Sequence, residues 1–83
     1  EGPLAGDITN ADLFTITGPA TLDGNFINTV PGGVLDVAGG DFLIDGNLTN
    51  SAFIQIGAGN TLAALVIDNL AGGAIAVGEN GTL

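Results

Sequence analysis

Short segments in which apolar and polar residues alternate recur along the chain. Four of them align with one another: LFTITG (13–18), VLDVAG (34–39), FIQIGA (53–58) and AIAVGE (74–79). In each segment two apolar residues flank a central residue that is usually not apolar, and this period of two is typical of a half-buried strand. The alignment predicts two stacked columns of inward side chains, which are Phe14, Leu35, Ile54 and Ile75 and, two residues further on, Ile16, Val37, Ile56 and Val77.

A second repeated unit precedes these segments. GDITN (6–10), GNFIN (24–28) and GNLTN (46–50) share the order Gly, Asp or Asn, an apolar residue, Thr or Ile, and Asn, and DNLAG (68–72) is a weaker copy. The unit predicts an inward apolar column of Ile8, Phe26, Leu48 and Leu70, and a corner column of Asn10, Asn28, Asn50 and Gly72. Because Asn tolerates left-handed backbone and its amides can stack, the corner column is expected to be a ladder of turn residues. A third unit ends in Leu and predicts a column of Leu22, Leu43, Leu62 and Leu83.

Three short strands in each interval of about 20 residues predict a solenoid, because internal periods of this length are the signature of stacked repeats. We therefore predict an all-β fold, a parallel β-solenoid (β-helix) of about four rungs, where a rung is one circuit of the chain around the axis. The whole chain, residues 1–83, is predicted to form one module, with repeats at approximately 6–23, 24–45, 46–68 and 69–83. The alternative is an antiparallel β-sandwich fibre subunit, which explains the Gly-rich turns but not three columns with one shared period.

The absence of cationic side chains limits what the chain can bind or catalyse. The sequence has no Lys, Arg, His or Cys and nine Asp or Glu residues, which gives a formal net charge of −9. Without Lys or Arg it cannot neutralise phosphates, so we expect no nucleic-acid binding. Without His, Cys or Lys it cannot assemble the usual zinc sites or activated nucleophiles, so we expect no enzyme activity and no cofactor. Its longest apolar run, Leu62 to Ile67, is too short for membrane insertion.

Three aspartates, Asp23, Asp45 and Asp68, follow successive copies of the third unit. If they stack at one corner, neighbouring carboxylates lie about 5 Å apart and repel each other. One interpretation is a solvated corner that tolerates this repulsion. The other is a Ca²⁺ site between rungs, in which these carboxylates act with Asn or backbone carbonyl oxygens, because Ca²⁺ prefers oxygen ligands. Separately, Asn47 and Asn80 match the N-glycosylation pattern Asn-x-Ser/Thr and are candidates for modification.

Two long segments carry a family resemblance. GNLTNSAFIQIGAGNTL (46–62) and GNFINTVPGGVLDVAGGDFLIDG (24–46) resemble the repeats of bacterial surface proteins of the filamentous-haemagglutinin and autotransporter-passenger type, and the β-strand repeats of large exported proteins. The resemblance extends over roughly residues 6–83. It implies a right-handed parallel β-helix, a secreted or cell-surface location, and a fibrous or adhesive role. It implies no catalytic residues, because such repeats are a scaffold. This chain departs from the family pattern in being short.

The two ends of the predicted solenoid lack the features that normally cap such folds, such as an amphipathic helix or edge lysines. Two interpretations remain open. The chain is cut from a longer solenoid, or copies of it stack head to tail into a filament. We expect a non-enzymatic structural module whose partner is itself. The alternative functions are a Ca²⁺-dependent or glycan-contacting segment of a larger adhesin with an unknown host-surface receptor, and a sandwich-type pilin that uses residues 1–7 as a donor strand.

Overall fold

The computed structural model describes residues 4–83 as a stack of short parallel strands. In chain order the ten strands are β1 (Leu4–Ala5), β2 (Ile8–Asn10), β3 (Leu13–Ile16), β4 (Ala20–Asp23), β5 (Phe26–Asn28), β6 (Val34–Val37), β7 (Phe42–Asn50), β8 (Phe53–Ile56), β9 (Leu62–Asn69) and β10 (Ala74–Val77). Every strand pair between them is parallel. This confirms the all-β parallel solenoid of about four rungs. The antiparallel sandwich was the wrong alternative.

The chain winds around three faces. Face A is built from β1, β4 and the first halves of β7 and β9; face B is built from β2, β5 and the second halves of β7 and β9. Face C is built from β3, β6, β8 and β10. In the first two rungs a glycine separates face A from face B, at Gly6 and Gly24, whereas β7 and β9 run through this corner without interruption. Among the described residues no helix is long and apolar enough to cross a membrane.

Face C matches the sequence-based columns. Phe14 pairs with Leu35, Leu35 with Ile54, and Ile54 with Ile75. The second column has the same register, since Val37 pairs with both Ile16 and Ile56. Within the middle rungs these side chains are completely buried, because each is covered by an equivalent side chain above and below it.

Three phenylalanines meet at the axis of the solenoid. Phe14, Phe26 and Phe42 come from faces C, B and A respectively, and from three successive rungs. The rings of Phe14 and Phe26 are 5.3 Å apart, and those of Phe26 and Phe42 are 5.9 Å apart, both in edge-to-face geometry. This arrangement is favoured by the ring quadrupoles. The aromatic rings therefore fill the wide centre that aliphatic side chains from three faces would leave open.

The predicted leucine column is wrong on face A. Leu22 pairs with Leu4 and Ile44, whereas Leu43 pairs with Thr21 and points outward with 47% of its surface exposed. Leu62 pairs with Phe42. The prediction matched residues by identity, but the alternation along β7 places Phe42 and Ile44 inside. In a strand, a shift of one residue transfers every side chain to the opposite face.

The register of the last rung also differs from the prediction. Ile67 occupies the column position predicted for Leu70, and Asn69 occupies the position predicted for Gly72, because Leu48 pairs with Ile67 and Asn50 with Asn69. The ladder between β7 and β9 is irregular where Ile44 pairs with Ala64 but Asn47 pairs with Val66. Such a bulge places two residues opposite one. The fourth repeat therefore begins near residue 65 rather than at 69.

Candidate functional site

A buried ladder of asparagine amides runs the length of the solenoid at the corner between faces B and C. Asn10 Nδ2 donates to Asn28 Oδ1 over 2.9 Å, Asn28 Nδ2 to Asn50 Oδ1 over 3.0 Å, and Asn50 Nδ2 to Asn69 Oδ1 over 2.9 Å. Asn28 and Asn50 are completely buried and Asn10 is 8% exposed. Each strand of face B ends in Asn. The alternation that points Ile8, Phe26 and Leu48 inward also points the residue two positions later, this Asn, inward.

Backbone carbonyls at the start of face C complete the hydrogen bonding of the ladder. Asn28 Nδ2 also donates to the carbonyl oxygens of Gly33 (3.3 Å) and Phe53 (2.8 Å). Asn50 Nδ2 likewise donates to the carbonyl of Ala74 over 3.2 Å. Among the described residues no buried side-chain nitrogen or oxygen lacks a partner. The ladder therefore fixes the corner where the chain leaves face B, which confirms the stacked amides predicted for Asn10, Asn28 and Asn50. These asparagines end strands and do not have the left-handed backbone that the prediction invoked.

Asn69 is the member of the ladder that the sequence analysis missed. The missed signal is a three-residue motif, an apolar residue, any residue and Asn, which occurs as ITN (8–10), FIN (26–28), LTN (48–50) and IDN (67–69). The prediction aligned the fourth copy as DNLAG (68–72), because its Asn69-Leu70 pair imitates Asn47-Leu48 of GNLTN. The motif itself is the better guide, because its two outer side chains both point into the solenoid while the residues around it lie in loops of variable length.

The two ends of the ladder differ chemically. At the N-terminal end, the one hydrogen bond that Asn10 Oδ1 accepts within residues 4–83 is a long bond of 3.4 Å from the backbone N–H of Asp12. At the C-terminal end, Asn69 Nδ2 donates to the carbonyl of Gly73 over 3.1 Å, and its second N–H has no acceptor among residues 4–83. One end of the ladder is thus an amide acceptor and the other is an amide donor.

The N-terminal end of the solenoid is an open edge with a hollow in it. Within the described residues β1, β2 and β3 each pair with one neighbour only. Ile8 and Phe14, which belong to the inward columns, are only partly buried there. A hollow of about 390 Å³ opens at this end, and Phe14, Ile16, Pro19 and Ala20 are among its lining residues.

The C-terminal end is also open and is formed by β9 and β10. Ile67 and Ile75, which are inward in their columns, are partly buried, and Val77 is 46% exposed. Thr82 makes a parallel bridge with Thr61, so the last residues begin a further layer on face A. Leu83 follows directly and is 47% exposed. Within residues 4–83, the layers at both ends therefore leave the inner columns of the fold partly uncovered.

The three aspartates proposed as Ca²⁺ ligands do not form one group. Asp23 and Asp45 directly follow the paired residues Leu22 and Ile44 on face A. Asp68 lies on face B, where it pairs with Thr49. The grouping of all three at one corner was therefore wrong for Asp68, because it assumed the late start of the fourth repeat. Among residues 4–83 no three acidic side chains lie close enough together to hold a metal ion.

Other carboxylates serve as acceptors for the backbone of the next rung. Asp7 Oδ1 accepts from the backbone N–H of Asn25 over 3.1 Å, and Asp41 Oδ1 accepts from that of Thr61 over 2.9 Å. Asn25 Oδ1 likewise accepts a hydrogen bond from the backbone N–H of Asn47 over 2.8 Å. These side chains replace missing strand hydrogen bonds at the corners, so their role is structural.

The candidate glycosylation residues lie at the surface. Asn47 is exposed in β7, and Asn80 is exposed in a turn where its φ is +61°. Of the segment proposed as a pilin donor strand, residues 1–3 lie outside the described part of the chain. The next residues, Leu4 and Ala5, form β1 and pair in parallel with β4 of the same chain.

Comparisons with known proteins found no relative of this chain. No protein-family model matches the sequence, and neither the curated proteins nor the solved structures contain a match.

Proposed function

We propose that this chain is a non-enzymatic structural module of a secreted or cell-surface fibre or adhesin, and that its ends associate with further copies to form a filament. The observation that carries the proposal is the pair of open ends. Both present parallel edge strands together with the inward columns, as Val77 illustrates with 46% exposure against 0% for Val37 in the same column. Exposed strand edges and bare apolar ends favour pairing with a further strand layer.

The distribution of charge favours end contacts over side contacts. The formal charge of −9 has no cation to offset it, so the sides of neighbouring stacks repel each other. The charged positions of the described rungs are spread out along the chain, at Asp7, Asp12, Asp23, Asp36, Asp41, Asp45, Asp68 and Glu79. Screening by salt weakens this repulsion within about 10 Å at 0.1 M ionic strength. Filaments should therefore stay separate at low salt and bundle as salt is added.

The non-enzymatic part of the proposal rests on side-chain chemistry. The sequence contains no His, Cys, Lys or Arg, so the usual activated nucleophiles and electrophilic cations cannot be formed. Among the described residues, the buried polar side chains are Asn10, Asn28 and Asn50, and their amides are engaged with one another and with backbone carbonyls. The buried polar side chains of the molecule thus serve to hold successive rungs together.

Electron microscopy of the purified 83-residue chain, combined with sedimentation velocity, tests the proposal. We expect thin unbranched filaments whose diffraction has a strong axial spacing near about 4.8 Å, the distance between hydrogen-bonded strands. Sedimentation should show a distribution of sizes that shifts upward with concentration. A single species of 8.1 kDa at all concentrations would refute the proposed assembly.

A further inference from the structure

We propose that the filament contact has one polarity and one register: the C-terminal end of one copy lies on the N-terminal end of the next, and Asn69 of the first donates to Asn10 of the second. The inference rests on the proposed function and adds to it the orientation, the alignment and the residues of the contact. Four features of the two ends carry it.

The first feature is the direction of the asparagine ladder. Each amide-to-amide bond in it runs from a donor in one rung to an acceptor in the next rung toward the C-terminal end, as in Asn28 Nδ2 to Asn50 Oδ1. The ladder therefore ends in a free donor at Asn69 and a weakly used acceptor at Asn10. Head-to-tail stacking joins donor to acceptor. Head-to-head stacking brings two acceptors together and tail-to-tail stacking two donors, and a buried amide left unpaired is costly.

The second feature is the match between the apolar columns. If the ladder continues in register, Ile67 of one copy covers Ile8 of the next, and Ile75 covers Phe14, because each pair belongs to one column. On face A the small Ala64 meets Leu4, since both belong to the column of Leu22 and Ile44. Apolar side chains therefore meet apolar side chains across the whole contact.

The third feature is the hollow at the N-terminal end. Leu83 follows Thr82, whose partner is Thr61, so Leu83 extends the column of Ala20, Phe42 and Leu62. In the head-to-tail register the next member of this column is Ala20 of the second copy, which lines the hollow. Leu83 of one copy thus enters the hollow of the next. A small residue at position 20 leaves the space that the leucine fills.

The fourth feature is the placement of charge at the contact. On the outside of face B, Asp68 lies in the column of Thr49, Ile27 and Thr9, so it meets the uncharged Thr9 of the next copy. Val66, in the column of Asn47, meets Asp7. The head-to-tail register therefore places the carboxylates of the two end layers opposite uncharged residues, even though every charged side chain in the sequence is acidic.

Cysteine cross-linking distinguishes the polarities, because the chain has no cysteine of its own. The variants are Thr9→Cys and Asp68→Cys, both at exposed outward positions of β2 and β9. Strands that pair across the contact lie about 4.8 Å apart, which is within disulfide range. The two variants are mixed and oxidised, and the amounts of the disulfide-linked dimers are measured by intact mass. The mixed dimer should exceed either homodimer by about tenfold, because the other two polarities leave a buried amide unpaired.

The matched control is Thr9→Cys mixed with Ala76→Cys. Ala76 is also an exposed outward residue of the C-terminal end, but it lies on face C, so this pair should give no excess of mixed disulfide. Filaments whose disulfides are mainly Thr9→Cys or Asp68→Cys homodimers would overturn the polarity while leaving the proposed function intact. An absence of any assembly would overturn both.

A second pair of variants tests the ladder directly. Asn69→Asp keeps the oxygen that accepts from Asn50 but removes the amide donor, so we expect self-association at least about tenfold weaker with the monomer still folded by circular dichroism. Asn80→Asp adds the same charge in the terminal rung, in a turn, and should change association much less. Equal weakening by both variants would mean that charge, and not the amide donor, governs the contact, and would overturn the role of Asn69.

Discussion

The middle rungs and the end rungs are built from the same columns but differ in how far those columns are covered. On face C, Leu35 and Ile54 are completely buried, whereas Phe14 and Ile75, their neighbours in the same column, are only partly buried. All four side chains are large and apolar and share one register in parallel strands, so the difference comes from the missing neighbour. In a solenoid the stability of a rung depends on the rungs that lie on either side of it.

The strongest test of this difference is a pair of truncations in one column. Ile54→Ala should lower the free energy of unfolding by about 3 kcal/mol because it leaves a cavity between two covered layers, while Ile75→Ala should cost about 1 kcal/mol because its site can collapse or fill with water. Urea unfolding of the monomer measures both. Equal losses would mean that the end rung is already covered in solution. In filaments the two losses should converge.

The asparagine ladder gives the next largest contrast. Asn28→Ala removes a completely buried amide and leaves Asn10 Nδ2 and Asn50 Oδ1 each without one partner, so we expect a loss of about 2–3 kcal/mol; Asn69→Ala, at the exposed end, should cost less than about 1 kcal/mol. Thermal unfolding followed by circular dichroism provides the comparison. Similar losses at both positions would contradict a ladder that is protected only in the middle.

Two glycines provide the smallest contrast. A Cβ at Gly46 would collide with the carbonyl of Gly24 in the preceding rung. A Cβ at Gly18, in the loop after β3, would have no atom within 4 Å. We expect Gly46→Ala to cost about 1–3 kcal/mol, as overpacking does, and Gly18→Ala to change stability by less than about 0.5 kcal/mol. Unfolding midpoints in urea measure the two effects. A tolerated Gly46→Ala would show that the corner between faces A and B can widen.

The sequence predicted the inward columns correctly where each repeated strand has the same length and ends at a clear break. On face C each strand has four residues with the same alternation and is followed by a break, so the columns of Phe14 and Ile16 followed from the pattern alone. On face A the leucines suggested a column by identity, but Leu43 faces outward and Phe42 inward. Residue identity does not define a face, whereas the alternation along the strand does.

The candidate site was predicted in part for the same reason. Asn10, Asn28 and Asn50 were placed correctly because a Gly starts each of their units and an Asn ends it. Asn69 and Asp68 were misplaced because the number of residues between equivalent positions falls in the last rung, as the pairs of Phe26 with Leu48 and of Leu48 with Ile67 show. Loop length and the bulge in β7 opposite β9 set this distance, and neither leaves a local signature that a single sequence reveals.

The sequence by itself determined the class of fold and the chemistry that is absent. Alternation, glycine and asparagine at intervals of about 20 residues predict short stacked strands, and the lack of cationic side chains and of sulfur is a property of composition that no fold can alter. Only the tertiary structure decided which residues share a column, where the last rung begins, and that the amide ladder ends in an acceptor at Asn10 and a donor at Asn69. These follow from pairing between distant strands, because a register is defined by two segments together and by neither alone.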